Sequence, residues 1–276
     1  MRKNPLTKRG AMASAFWARF DRKSLAVLGL AAAVYVGIGY FWSDLLRQNL
    51  RVVNWYLIAI WVFMTALLCW DVRPSQDGAL ALAAMIGGYV FEWWGTHTGL
   101  WWYFTGEKPP LWILPAWPVA ALATVRIAYG VEALLSRLDW NFRLVYWALA
   151  AGFVLWMTRF LWPSVKMPAS WVALASLGAI AASGGRERSA RRDVSLFLAG
   201  LGLGIFLEYW GTSRNCWTYY TREVPPPVTA AAHGFAQIVY ARVLGVLDRR
   251  LRRQGFPWPV GPREYPHPVV RRGCAV

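Results

Sequence analysis

Residues 91–110, FEWWGTHTGLWWYFTGEKPP, are matched without a gap by residues 207–226, LEYWGTSRNCWTYYTREVPP, at an offset of 116 residues. Glu92 falls on Glu208, Trp94 on Trp210, Gly95 on Gly211 and Thr96 on Thr212. Further along, Trp101 falls on Trp217, Tyr103 on Tyr219, Thr105 on Thr221, Glu107 on Glu223, and each Pro-Pro pair on the other. Extending the match to 77–132 against 193–248 gives 18 identities in 56 positions, including Asp77/Asp193, Gly88/Gly204 and Arg126/Arg242. Apolar helices drift among Leu, Val, Ala and Ile, so shared Glu, Trp, Gly, Tyr and Pro mark the duplication of a specific geometry.

Composition gives the class. The chain is 57% hydrophobic and 16% aromatic with 19 Trp, yet carries a net charge of +16. Apolar runs near the ~20 residues that cross a bilayer occur at about 24–42, 52–70, 78–97, 111–135, 143–162, 168–184, 194–212 and 227–247. The expected fold is therefore all-α, a polytopic membrane bundle of about eight transmembrane helices. The offset carries the first four runs onto the last four, giving two four-helix repeats at 24–139 and 140–250. An even number of spans per unit makes those repeats parallel.

Charge fixes the expected orientation. Lys and Arg crowd the N-terminal arm (1–23), the loops around Arg137 and Arg186–Arg192, and the segment after the eighth run (Arg249–Arg253). These lie on one side if both termini are cytoplasmic, as the positive-inside rule requires of a bacterial-type inner (cytoplasmic) membrane protein. The basicity is then topological and lipid-facing, and a nucleic-acid partner is not expected. Phe16, Trp17 and Phe20 beside Arg19 and Arg22 fit a short interfacial helix, and the Pro-rich basic tail (251–276) reads as cytoplasmic and disordered from residue 254. Cys69, Cys216 and Cys274 have no metal or disulfide spacing.

Within this frame the polar residues of the spans carry the chemistry. Asp77 and Asp193 immediately precede their apolar runs and read as helix N-caps. Glu92 and Glu208 lie 15 residues further on, ~22 Å along a helix, in the outer third of a ~30 Å slab. An ionisable group there costs a few kcal/mol unless it is paired, protonated or facing a cavity. Gly88/Gly204 and Gly95/Gly211 leave room beside each carboxyl. Trp94, Trp101, Tyr103 and Thr96 in the first half, and Trp210, Trp217, Tyr219 and Thr212 in the second, are held in register with the acids. Those residues are the candidate substrate contacts, with Glu92 and Glu208 as candidate acid and base. Arg159 reads equally as a counter-ion to the glutamates or as a snorkelling side chain. His233, opposite Trp117 in the repeat, is a candidate second proton carrier. Arg126 and Arg242 read as snorkelling or as linked to a cytoplasmic-end acid; His97, Glu107 and Glu223 read as loop residues.

Indole faces stabilise cationic character and grip long conjugated chains. An embedded acid beside such a wall is suited to protonating an alkene, with water or an internal double bond capturing the cation. No DDxxD, HxxxH or HExxH pattern and no phosphate-binding glycine loop occurs, so no metal and no cofactor is implied.

The segment Glu92, Gly95, Thr96, Thr98, Gly99, Trp101, Tyr103 and Thr105, followed by Pro115, Trp117 and Pro118, resembles that of the carotenoid hydratases of the bisanhydrobacterioruberin and gamma-carotene type. The resemblance implies a polytopic membrane enzyme that adds water across a terminal isoprenoid double bond. A terpene cyclase started by a buried acid is the neighbouring expectation. The alternatives outside enzyme chemistry are a proton-coupled carrier of a lipid or small hydrophobic solute, and a non-catalytic partner of a pigment or lipid complex.

Overall fold

The computed structural model describes residues 20–41, 43, 47 and 55–261. Among them run eight helices: α1 (Arg22–Phe41), α2 (Trp55–Leu68), α3 (Pro74–His97), α4 (Ala116–Leu135), α5 (Phe142–Phe160), α6 (Pro168–Ala182), α7 (Glu187–Ser213) and α8 (Pro227–Arg253). Two short strands, β1 (Trp101–Tyr103) and β2 (Trp217–Tyr219), follow α3 and α7. The expected interfacial segment at Phe16 and Trp17, the tail from residue 262 and Cys274 lie outside the described residues.

Among the described residues four segments are long and apolar enough to cross a membrane: Arg22–Phe41, Leu111–Leu135, Ser189–Ser213 and Pro227–Arg253; α2 and α6 are shorter apolar helices. The outer surface agrees with a lipid surrounding. Val36 and Leu155 are each 72% exposed and Trp162 is 70% exposed, far more apolar surface than a water-facing exterior carries.

Local chemistry sets the helix boundaries. Pro74, Pro168 and Pro227 begin α3, α6 and α8, using a residue whose missing N–H would have no intrahelical partner there. Asn141 caps α5 by accepting the Leu144 N–H at 3.1 Å. The last helix runs through the arginines to Arg253, further than the apolar run predicts, because those side chains reach solvent from a regular helix. Close backbone approach fixes the centre: a Cβ on Gly200 would sit 2.6 Å from Gly234 Cα, and one on Gly234 would sit 2.4 Å from the Phe197 carbonyl oxygen. Only glycine allows α7 and α8 to pack so tightly.

The expectation of N-capping aspartates is overturned. The cap of α3 is Arg73 and that of α7 is Arg186. Asp77 lies inside the first turn of α3, accepting the Arg73 N–H at 2.9 Å, and Asp193 lies in the body of α7. A buried arginine displaces the capping role. Arg126 on α4 makes a two-pronged contact with Asp77, Nη1 to Oδ1 at 3.1 Å and Nη2 to Oδ2 at 2.7 Å. Arg242 on α8 pairs with Asp193. Of the two readings of these arginines, the link to an acid is the one that forms.

Residues 254–261, read from composition as disordered, are also corrected. The N–H groups of Val260 and Gly261 donate to Asp248 Oδ1 at 3.0 and 3.1 Å, and Gln76 Nε2 donates to the Gly261 carbonyl at 3.1 Å. The segment folds back onto the end of α8 and the start of α3.

Arg126→Gln strands the Asp77 carboxylate in the interior and is expected to cost about 3–5 kcal/mol, measured by thermal unfolding in detergent. Arg159→Gln, at an exposed position, changes stability by less than about 0.5 kcal/mol.

Candidate functional site

Helix α3 carries Glu92 inward, where it is 5% exposed. The helix then stops: Gly99 takes φ +73°, and the Leu100 N–H returns to the Gly95 carbonyl at 3.0 Å, a left-handed closure that favours glycine. The chain doubles back as β1, and strand alternation turns Trp101 and Tyr103 to the same side. Both reach Glu92 Oε2, Trp101 through Nε1 at 3.0 Å and Tyr103 through Oη at 2.8 Å. Trp117 on α4 donates Nε1 to Oε1 at 3.2 Å. The room left by the glycines is filled by these rings. A Cβ on Gly95 would lie 1.8 Å from the Trp101 ring, and one on Gly88 would lie 2.2 Å from Trp117 Cγ.

Glu208 on α7, also 5% exposed, is held the same way. Asn215 takes the left-handed turn at φ 55° and the Cys216 N–H returns to the Gly211 carbonyl at 2.8 Å. Trp217 Nε1 and Tyr219 Oη donate to Oε2 at 3.0 and 2.9 Å. His233 Nε2 on α8 lies 2.9 Å from Oε1. A Cβ on Gly211 would meet the Trp217 ring at 2.0 Å, and one on Gly204 would lie 2.8 Å from His233 Cβ.

The two cradles are joined through the strands. β1 and β2 pair antiparallel with Trp101 opposite Tyr219, Trp102 opposite Thr218, and Tyr103 opposite Trp217. Ring centroids lie 5.8 Å apart for Trp101 and Tyr219, and 5.9 Å apart for Tyr103 and Trp217. Trp117 and His233 stack at 5.7 Å with planes 13° apart. Beneath them both carboxyls line one cavity of about 920 Å³. Among the described residues its wall includes neither lysine nor arginine, and it reaches α1 and α2 on one flank and α5 and α6 on the other.

Of the expected contacts, Trp94, Trp101, Tyr103, Trp210, Trp217, Tyr219 and His233 line this chamber with the two glutamates. Three expectations are corrected. Thr96 Oγ1 donates to the Glu92 carbonyl at 2.6 Å and Thr212 Oγ1 to the Glu208 carbonyl at 2.7 Å. Their hydroxyls are spent on the preceding helical turn, so neither meets the cavity. Arg159 is exposed and is no counter-ion to either glutamate; indole, phenol and imidazole donors take that place. His97 bonds to the Trp93 carbonyl at 2.8 Å and Glu107 accepts from Thr105 at 3.1 Å, the local roles expected of them. Trp102 faces away, 4.7 Å below the Arg222 guanidinium.

Two wall residues escaped the sequence reading. Trp117 was visible as the counterpart of His233 and in the proline-containing segment at 115–118, but its donor role depends on its ring lying against Gly88. Tyr240, 2% exposed, packs on Gly87 and lines the chamber, and among the described residues neither its hydroxyl nor Trp210 Nε1 has a hydrogen-bond partner. Burial pushes the Cys216 thiol up to about 12, so the sulfur stays protonated and is no nucleophile.

No protein-family model, curated protein or solved structure matches the chain. Tyr103→Phe, which removes a donor from a buried carboxyl, is expected to lower stability by about 1–3 kcal/mol. Tyr240→Phe, which deletes an unpartnered hydroxyl, is neutral or stabilising in the same detergent melts.

Proposed function

We propose that this chain is a multi-pass protein of the inner (cytoplasmic) membrane that binds an isoprenoid or carotenoid-type chain and protonates one of its C=C bonds. Its eight helices form eight spans in two parallel four-helix repeats, with both termini cytoplasmic and the glutamate chamber toward the opposite face. The observation that carries this reading is the presence of both carboxyl groups in one apolar, indole-lined cavity.

The chemistry balances without a redox partner. A carboxylic acid gives its proton to the less substituted alkene carbon, and the π pair becomes the new C–H bond. Positive charge is left on the tertiary carbon, where indole faces and the remaining carboxylate stabilise it. Water then forms a C–O bond and returns a proton to the acid, completing hydration; capture by an internal double bond gives cyclisation. The resemblance of the Glu92–Thr105 segment to carotenoid hydratases supports the same substrate class.

Lipid extracts of cells expressing Glu92→Gln or Glu208→Gln test it. Each variant is expected to remain folded in the membrane and to lose at least about 100-fold of a product heavier than its precursor by one water, read by mass. Undiminished product in both variants overturns the reading.

A further inference from the structure

The two cradles are alike in every donor except one. Glu92 is held by two indoles and a phenol, Glu208 by one indole, one phenol and an imidazole. At the position that differs, Trp117 Nε1 can only donate, whereas an imidazole nitrogen such as His233 Nε2 can either donate or accept a proton. We propose that Glu208 and His233 are the proton-delivering pair, and that Glu92, held only by indole and phenol donors, takes no part in that transfer. The assignment rests on the alkene-protonating reading above.

Three features support this division of labour. Glu208 Oε2 is already taken by Trp217 and Tyr219, so Oε1, facing His233 at 2.9 Å, is the oxygen free to exchange a proton. The His233 side chain is 21% exposed against 7% for Glu208, so the imidazole is the more accessible member of the pair. Trp117 lies flat against the imidazole, which holds the ring in place. Glu92 has no such partner, since all three of its contacts are non-ionising donors at neutral pH.

In the forward step the proton passes from His233 Nε2 to Glu208 Oε1 and from Oε1 to the alkene carbon, leaving a neutral imidazole, a carboxylate and a tertiary cation. Water adds through oxygen, and its surplus proton returns to Oε1 and then to Nε2. One water is consumed and no electrons are exchanged with another molecule. The other titratable groups facing this chamber are Tyr103 on β1, Tyr219 on β2, Cys216 before β2, Tyr240 on α8 and Tyr35 on α1.

His233→Gln separates proton transfer from simple donation, because a glutamine amide can still donate to Glu208. The full-length protein in phosphatidylcholine vesicles is given lycopene, an acyclic polyene with two isopropylidene ends, and products are read by mass. In parallel, infrared difference spectra follow carboxyl ionisation with pH, without substrate. The wild type is expected to hydrate or cyclise the probe, His233→Gln to do so at least about 100-fold more slowly. The infrared ionisation is expected in wild type and Glu92→Gln, and lost in Glu208→Gln and His233→Gln. Wild-type turnover by His233→Gln, or an ionisation that vanishes only in Glu92→Gln, overturns the pair. If wild type leaves the polyene unchanged while the ionisation still maps to Glu208 and His233, the alkene reading falls and the proton pair stands.

Discussion

A carboxyl group placed among hydrocarbon side chains is tolerated only when donors surround it, and that requirement governs the architecture of this protein. Glu92 and Glu208 each gather three donors. Two of the three come from a strand that immediately follows the helix bearing the acid. For that strand to double back, the helix must end in a left-handed residue; for the indole to reach the carboxyl, the helix must present glycine where a side chain would stand. Glycine 95 and 211, the turn at 99 and 215, and the Trp-x-Tyr strands are thus parts of one solution to a single solvation problem.

A second polar layer obeys the same logic with different groups. Near the start of α3 and α7, aspartates are matched by arginines from α4 and α8. Each helix pair is tied at one end by a charged contact and at the other by a carboxyl with neutral donors. The difference suits the two depths. A guanidinium pairs each aspartate charge to charge, whereas phenol, indole and imidazole groups surround the glutamates.

Much of this was legible in the chain itself. The duplicated Glu-x-x-Gly segment located both acids, and the conserved spacing to Trp and Tyr nominated four of the six donors. Periodicity and apolar runs located the helices. What escaped was set by competition that a sequence does not display. Thr96 and Thr212 satisfy the carbonyl one turn back instead of facing the cavity. Asp77 and Asp193, apparent caps, answer to arginines 49 residues away. The strands were hidden inside a segment whose aromatic content reads equally well as an interfacial belt. The Trp117/His233 difference was visible in the alignment, but its meaning depended on knowing that both rings point at a carboxyl.

The pairing of β1 with β2 has a mechanical corollary. Backbone hydrogen bonds run across it, and the Phe104 and Tyr220 N–H groups extend the ladder to the Cys216 and Leu100 carbonyls at 3.1 and 3.0 Å. The segments after α3 and α7 are therefore stapled together at the glutamate end. A rocker-switch carrier must part its lobes alternately at both faces, and here one face could gape only by tearing that ladder open.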